Sequence, residues 1–304
     1  MPRIVPNFFI IGGPRCGTSA LRSYLEEHPN AFLPGPLEPH FFCADLRVEY
    51  RVSDLERYLE LFAEAQEQHT VVGETAGWYL HSKLALPEIL KSHPEARFVA
   101  LVRNPIELAR SLHAYNVARC IEDEPDFETA WSLQEARRQG RCLPPGLGEP
   151  QQLQYHWVGC LGAHLERALT IVPREQLHVI VQDDLSAEPE RVYRGLLEFL
   201  SLPPHDTVEF PRVNVSKRSR SVLFQSLLYR PPRVLRWAGR VLTRVIDPKH
   251  VHAVLGRLRR LNRRDQPPTP LSPAARQEMV AAFEEDVALL SRLLGRDLSG
   301  WLSE

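Results

Sequence analysis

The sequence predicts an α/β protein: a P-loop-like, doubly wound parallel sheet flanked by helices, formed as a single domain over residues 1–304. Three observations carry this. Short apolar runs of β type alternate with helical patterns along the chain. Those runs are apolar at every position rather than every second one, as strands covered on both faces are. The first of them ends in a glycine turn that leads straight into a helix. A chain of 304 residues can bury one sizeable core.

Taken in order, "RIVPNFFIIGG" reads as a strand and turn, "TSALRSYLEEH" as a helix, "TVVGE" as a strand and "LALPEILKSHP" as a helix. "RFVALVRNP" is then a strand, "IELARSLHAYNVA" a helix, "QLHVIVQDDL" a strand and "PERVYRGLLEFLSL" a helix. Ligands of such sheets sit beyond the carboxyl ends of the strands, which directs attention to the segments after Ile11, Val72 and Val102. From about 122 to 154 the pattern dissolves into a Pro/Gly-rich, irregular region with one helix around Phe127 to Arg138. Long irregular insertions in a compact domain are commonly functional or mobile.

Composition narrows the class. Hydrophobic and charged fractions of 43% and 25% are those of ordinary globular proteins. No apolar run approaches the roughly 18 residues of a membrane-spanning helix, and the start lacks a signal peptide's layout, so a cytoplasmic location is expected. Cys16, Cys43, Cys120, Cys142 and Cys160 are scattered and show neither disulfide nor zinc-ligand spacing. They read as reduced packing residues, and no metal is expected. A net charge of −1 hides an asymmetry: between Arg212 and Arg264 fifteen Lys/Arg face one acid, Asp247. Within this basic helical region, apolar residues from Val234 to Val245 recur at helical spacing among arginines. Such a stripe suits peripheral contact with an anionic membrane or polyanion, or simply core packing.

The stretch "FFIIGGPRCGTSALRSYLEEHP" carries the first chemistry. Gly12, Gly13 and Gly17 let the backbone turn with its N–H groups inward, around Pro14, Arg15 and Cys16. The following helix start adds its dipole and unpaired donors, making an anion cradle. Thr18 and Ser19 offer hydroxyls. In the nucleoside-triphosphate loop G-x-x-x-x-G-K-[ST], however, Thr18 would have to be lysine. Arg15, inside the loop, is placed to reach over a group projecting from the bound phosphate. A second strand runs into Arg103-Asn104-Pro105 and a helix carrying Ser111, so an arginine and a serine could meet one phosphate. Without a ligand, the same residues would be an ordinary glycine turn and a solvated surface charge.

Together these elements resemble the PAPS-dependent sulfotransferases, particularly the bacterial and heparan-sulfate types. In that resemblance "GGPRCGTSAL" is the 5′-phosphosulfate loop with Arg15 in the place of its Lys or Arg, and Arg103 with Ser111 forms the 3′-phosphate motif. The resemblance implies PAPS as donor and PAP as product, with no metal required. It also explains the missing lysine, since a phosphosulfate has no β- and γ-phosphates for that lysine to grip. "PLEPHFF" is similar to the family's "KE-x-x-FF" pattern, whose glutamate is the base and maps onto Glu38. His40 is the alternative base, and Leu37 replaces the usual lysine. Burial beside Phe41 and Phe42 is expected to raise the Glu38 pKa toward neutrality.

"VVGETAGWYLHS" resembles "GE-x-S-P-x-Y", with Glu74 either positioning the acceptor, pairing with an arginine or serving as a structural charge. Lys217, Arg218 and Arg220 are candidates for a loop that closes over the nucleotide. Trp131, Tyr155, His156 and Trp157 are candidates for acceptor contact or packing. The acceptor is expected to be a small molecule, glycan or lipid, bearing a hydroxyl or amine. A P-loop nucleotide kinase would need the absent lysine and magnesium carboxylates; a PAP-sensing module without chemistry is argued against by Arg15 and Glu38. No nucleic-acid reader motif is found.

Overall fold

The computed structural model describes residues 5–35, 38–48, 50–145, 147, 149–205, 208–210 and 269–303, with the backbone of 217–219 and 263–265. Its centre is a five-stranded sheet built from β1 (Phe8–Gly12), β2 (Ala31–Phe32), β3 (Val71–Thr75), β4 (Arg97–Val102) and β5 (Leu177–Val181). All neighbours are parallel, in the order β2-β3-β1-β4-β5. This is the doubly wound sheet that continuous apolarity predicts: Phe8 to Ile11 and Phe98 to Val102 are all 0% exposed, because helices cover both faces.

The helices are α1 (Thr18–Glu26), α2 (Leu55–Glu60), α3 (Ala85–Ser92), α4 (Pro105–Ala118), α5 (Phe127–Ser132), α6 (Gln134–Arg138), α7 (Tyr155–Gly159), α8 (Leu161–Leu169), α9 (Gln182–Ala187), α10 (Pro189–Leu200) and α11 (Pro273–Leu294); α1, α3, α4 and α10 lie where the sequence reading placed helices, and α9 begins inside the stretch read as the last strand. The chain forms two compact units. Residues 1–109, 156–213 and 276–304 make the first, which contains the sheet, and residues 110–155 and 214–275 make the second.

The region expected to be irregular differs from the reading. The single helix foreseen over Phe127 to Arg138 is two, α5 and α6, meeting at Leu133. They are held by a buried cluster inside the second unit. Arg137 meets Glu122 through both guanidinium arms at 2.7 and 2.6 Å, and Tyr155 Oη donates to Glu122 Oε2 at 2.7 Å. In the basic region, Lys217–Ser219 (β6) pairs antiparallel with Arg263–Asp265 (β7). Arg220 and the apolar stripe from Val234 to Val245 lie outside the described residues. No described helix is long and apolar enough to cross a membrane.

Candidate active site

The site grows from the carboxyl ends of β1, β3 and β4. After β1 the backbone enters the left-handed region at Gly12 (φ 122°), Arg15 (φ 65°) and Gly17 (φ 103°), which produces the tight loop ahead of α1. Gly12 has a second reason to be glycine, since a Cβ there would strike the Gly77 carbonyl oxygen at 2.3 Å. Gly13 N–H donates to Leu101 O at 2.7 Å, which ties the loop to β4. The first turn of α1 leaves the N–H groups of Thr18 and Ser19 without partners inside the helix. Thr18 is buried and Ser19 exposed. The Cys16 side chain is fully buried, and that burial pushes its thiol up to about 12 against the opposing pull of Arg103 and Arg15. It is a packing residue whose backbone belongs to the loop.

Arg103, at the tip of β4, reaches this loop: its Nη1 donates to Arg15 O at 3.1 Å. Its Nη2 pairs with Glu107 at 2.8 Å, one turn into α4. Next to it, Asn104 Oδ1 accepts from the N–H groups of Ile106 and Glu107 at 3.0 and 3.3 Å, capping α4. Asn104 Nδ2 donates to Trp301 O at 2.8 Å, and Trp301 Nε1 to Asp183 at 2.7 Å. The chain's last turn is therefore fixed to the tips of β4 and β5, a connection the sequence does not announce. Ser111 is half-buried on α4.

Glu38 lies beside the loop. Gly77 N–H donates to its Oε2 at 3.0 Å. A side chain at Gly77 would meet Glu38 Oε2 at 3.5 Å and Pro14 Cα at 3.7 Å, so the carboxylate and the loop border one point. His40 Nδ1 donates to the Glu38 carbonyl at 3.0 Å. Neutral His40 then carries its lone pair on Nε2, which faces Glu38 Oε2 at 3.1 Å but off the line of a good hydrogen bond. A proton on either partner turns that contact favourable. The expectation that burial lifts the Glu38 pKa fails. Burial is the largest influence and does push upward, but His40, the Gly77 N–H and Arg22 together hold the carboxyl below its ordinary value. Phe41 stacks on Tyr58 at 4.3 Å instead.

Glu74 takes the structural one of its three readings. It is only 1% exposed, its polar neighbours are Tyr58, Tyr79, His40 and Glu38, and among the described residues no arginine stands with them. Trp131 and Tyr155 are likewise buried in the second unit, the latter on Glu122, which removes them as acceptor contacts. His156 donates to Ala282 O at 2.9 Å and Trp157 packs on His81 and His164, so both serve packing. Lys217 and Arg218 sit in β6. Within the first unit, then, the fold unites Gly12 to Ser19, Glu38, His40 and Arg103. Gly77 stands in the "VVGETAGWYLHS" stretch, but its bond to Glu38 was not legible there, because it is made by a backbone N–H that any non-proline residue carries.

The model of the Sulfotransferase family matches residues 6–206. The chain belongs to that family. Among its relatives, the chain is 27% identical over 207 residues to the bifunctional heparan sulfate N-deacetylase/N-sulfotransferase 4 of Mus musculus, covering 66% of this chain and 23% of the relative. It is 28% identical over 285 residues to the membrane-associated sulfotransferase kil1 of Dictyostelium discoideum, covering 69% and 59%. The chain thus spans about a quarter of the heparan sulfate enzymes it matches. The crystal structure of a sulfotransferase from Alicyclobacillus acidocaldarius has the same fold: TM-score 0.72, 24% identity, with 98% and 99% of the two chains covered.

Proposed function

We propose that this sulfotransferase moves a sulfuryl group from PAPS to a hydroxyl or amine of a carbohydrate. The observation that carries the reading is the shared border of Glu38 and the phosphate loop at Gly77. A carboxylate there can take a proton from an acceptor placed against a group held in the loop. When bound, the donor supplies an activated sulfuryl group on a phosphate that departs as PAP. The loop residues Gly12 to Ser19 fit such a group, because left-handed turns, a helix start and the positive charge of Arg15 offer donors to one anion, while Arg103 bonds to the back of the same loop through Arg15 O.

The roles of the chain's residues follow. Glu38, ionised and held by the Gly77 N–H, accepts the acceptor's proton as its oxygen or nitrogen bonds to sulfur. Arg15 stabilises the negative charge that grows on the departing oxygen; as a guanidinium it does so by charge and hydrogen bonding, without giving up its proton. Arg103, exchanging Glu107 for the ligand, grips the 3′-phosphate. The carbohydrate acceptor is favoured because named relatives are heparan sulfate and carbohydrate sulfotransferases.

Incubation with radiolabelled PAPS and separate panels of glycans, phenols and lipids tests the reading; label is expected in a glycan. Glu38→Ala is expected to lower turnover about 10²–10⁴-fold with PAP binding retained, and Arg15→Ala about 10²–10³-fold. No labelled product in any panel, together with no PAP binding by calorimetry, would sink it.

A further inference from the structure

Beneath Glu38 and His40 lies a carboxyl that the reaction does not use. Glu74 is the penultimate residue of β3, paired in register with Phe9 of the central strand, and 1% exposed. Neither of its carboxyl oxygens meets a well-directed hydrogen-bond partner among the described residues, and no cation lies among its charged neighbours apart from a protonated His40. Four groups face it: Tyr58 from α2, Tyr79 from the turn after β3, and His40 and Glu38 from the loop above. Of these, Tyr79 leads back to the site, because its hydroxyl accepts the Phe42 N–H at 3.2 Å and its ring meets that of His40 edge-on at 6.3 Å. An ionised carboxylate needs water, a cation or several donors, and here it would also stand beside a second carboxylate that must itself be ionised to act.

We propose that Glu74 is the proton-bearing member of a two-carboxyl arrangement: a neutral acid, anchored in the sheet, that supports the Glu38 and His40 loop through Tyr79 while leaving the negative charge to Glu38. Separated environments of this kind assign opposite protonation states to two neighbouring carboxyls. Burial, the first influence, lifts Glu74 to about 7, helped by Glu38 and moderated by the two tyrosines and His40. The direction at Glu38 is the opposite.

The supporting role rests on Glu38 being the base; the protonation state does not, and is read without donor or acceptor. With a folded value near 7 against 4.5 unfolded, Glu74 contributes stability that is complete below pH 4.5 and lost as pH rises through 7. The full-length Glu74→Gln variant is therefore expected to gain melting temperature relative to wild type between those limits. Carboxyl ¹³C NMR of glutamate-labelled wild type, which needs no variant to fold, is expected to show one glutamate titrating close to pH 7. The acid-side fall in kcat/KM is expected at the same pH in Glu74→Gln as in wild type, whereas Tyr79→Phe lowers kcat. A Glu74→Gln variant that loses melting temperature as pH rises, or a wild-type spectrum in which every glutamate titrates below pH 5, overturns the assignment. A tenfold rate increase in Glu74→Gln on the acid limb would do the same by showing that Glu74 is charged there. Failure of sulfuryl transfer would leave the NMR and melting results standing, so the two readings fail separately.

Discussion

Single residues decide the chemistry here through partners that their own type does not reveal. Glu38 and Glu122 are both partly or fully buried glutamates held below the ordinary carboxyl value, the first by His40 and Gly77 and the second by Arg137, in each case against the upward push of burial. For Glu122 the partner is a two-armed guanidinium, with both side chains 0% exposed. Removing one member of such a pair leaves the other as an uncompensated buried charge. Arg137→Met is accordingly expected to destabilise the protein by about 3–5 kcal/mol, measured by denaturant unfolding. Glu122→Gln should cost less, because an amide oxygen still accepts from Arg137 and Tyr155. Both glutamates were visible in the sequence, but only Glu38 carried a motif; Glu122 looked like one acid in a loop because its arginine lies fifteen residues away.

At the scale of elements, the site depends on how three strand tips are tied together. The loop after β1 bonds to β4, Arg103 bonds back to that loop, and Asn104 joins the start of α4 to Trp301. If Arg103 serves the 3′-phosphate as proposed, Arg103→Ala is expected to weaken PAP far more than 5′-AMP. Asn104→Ala removes an N-cap, costing about 1 kcal/mol of stability, and is expected to lower PAP affinity in the same direction but less; calorimetry with both nucleotides reads the two effects. Equal losses for PAP and 5′-AMP in Arg103→Ala would show that it does not contact the 3′-phosphate. The strand and helix order around this site was legible because apolar runs and amphipathic periods are local signals. The brace from Trp301 was not, because a backbone carbonyl at the end of the chain carries no residue-type signature.

For the whole molecule, pH dependence follows from groups of opposite sign. His164, 7% exposed, is lowered to about 4 by burial, moderated by its bond to Trp157 O. A depressed folded value means that its stability is present above 6.5 and lost as pH falls through 4, a contribution of roughly 3 kcal/mol. His81 acts in the same sense, and Glu74 in the opposite one. Melting temperature is expected to fall as pH drops below 6.5, and His164→Asn to make that fall shallower; an unchanged slope would show that His164 is not the neutral buried group described.

The sequence by itself determined the sheet class and the order of the principal strands and helices, because each is written in contiguous residues whose periodicity is self-sufficient. Tertiary structure alone decided which acids burial raises and which their partners lower, which aromatics are buried and what fixes the strand tips. Those outcomes depend on desolvation and on partners brought close from distant parts of the chain, and neither is encoded at any one position.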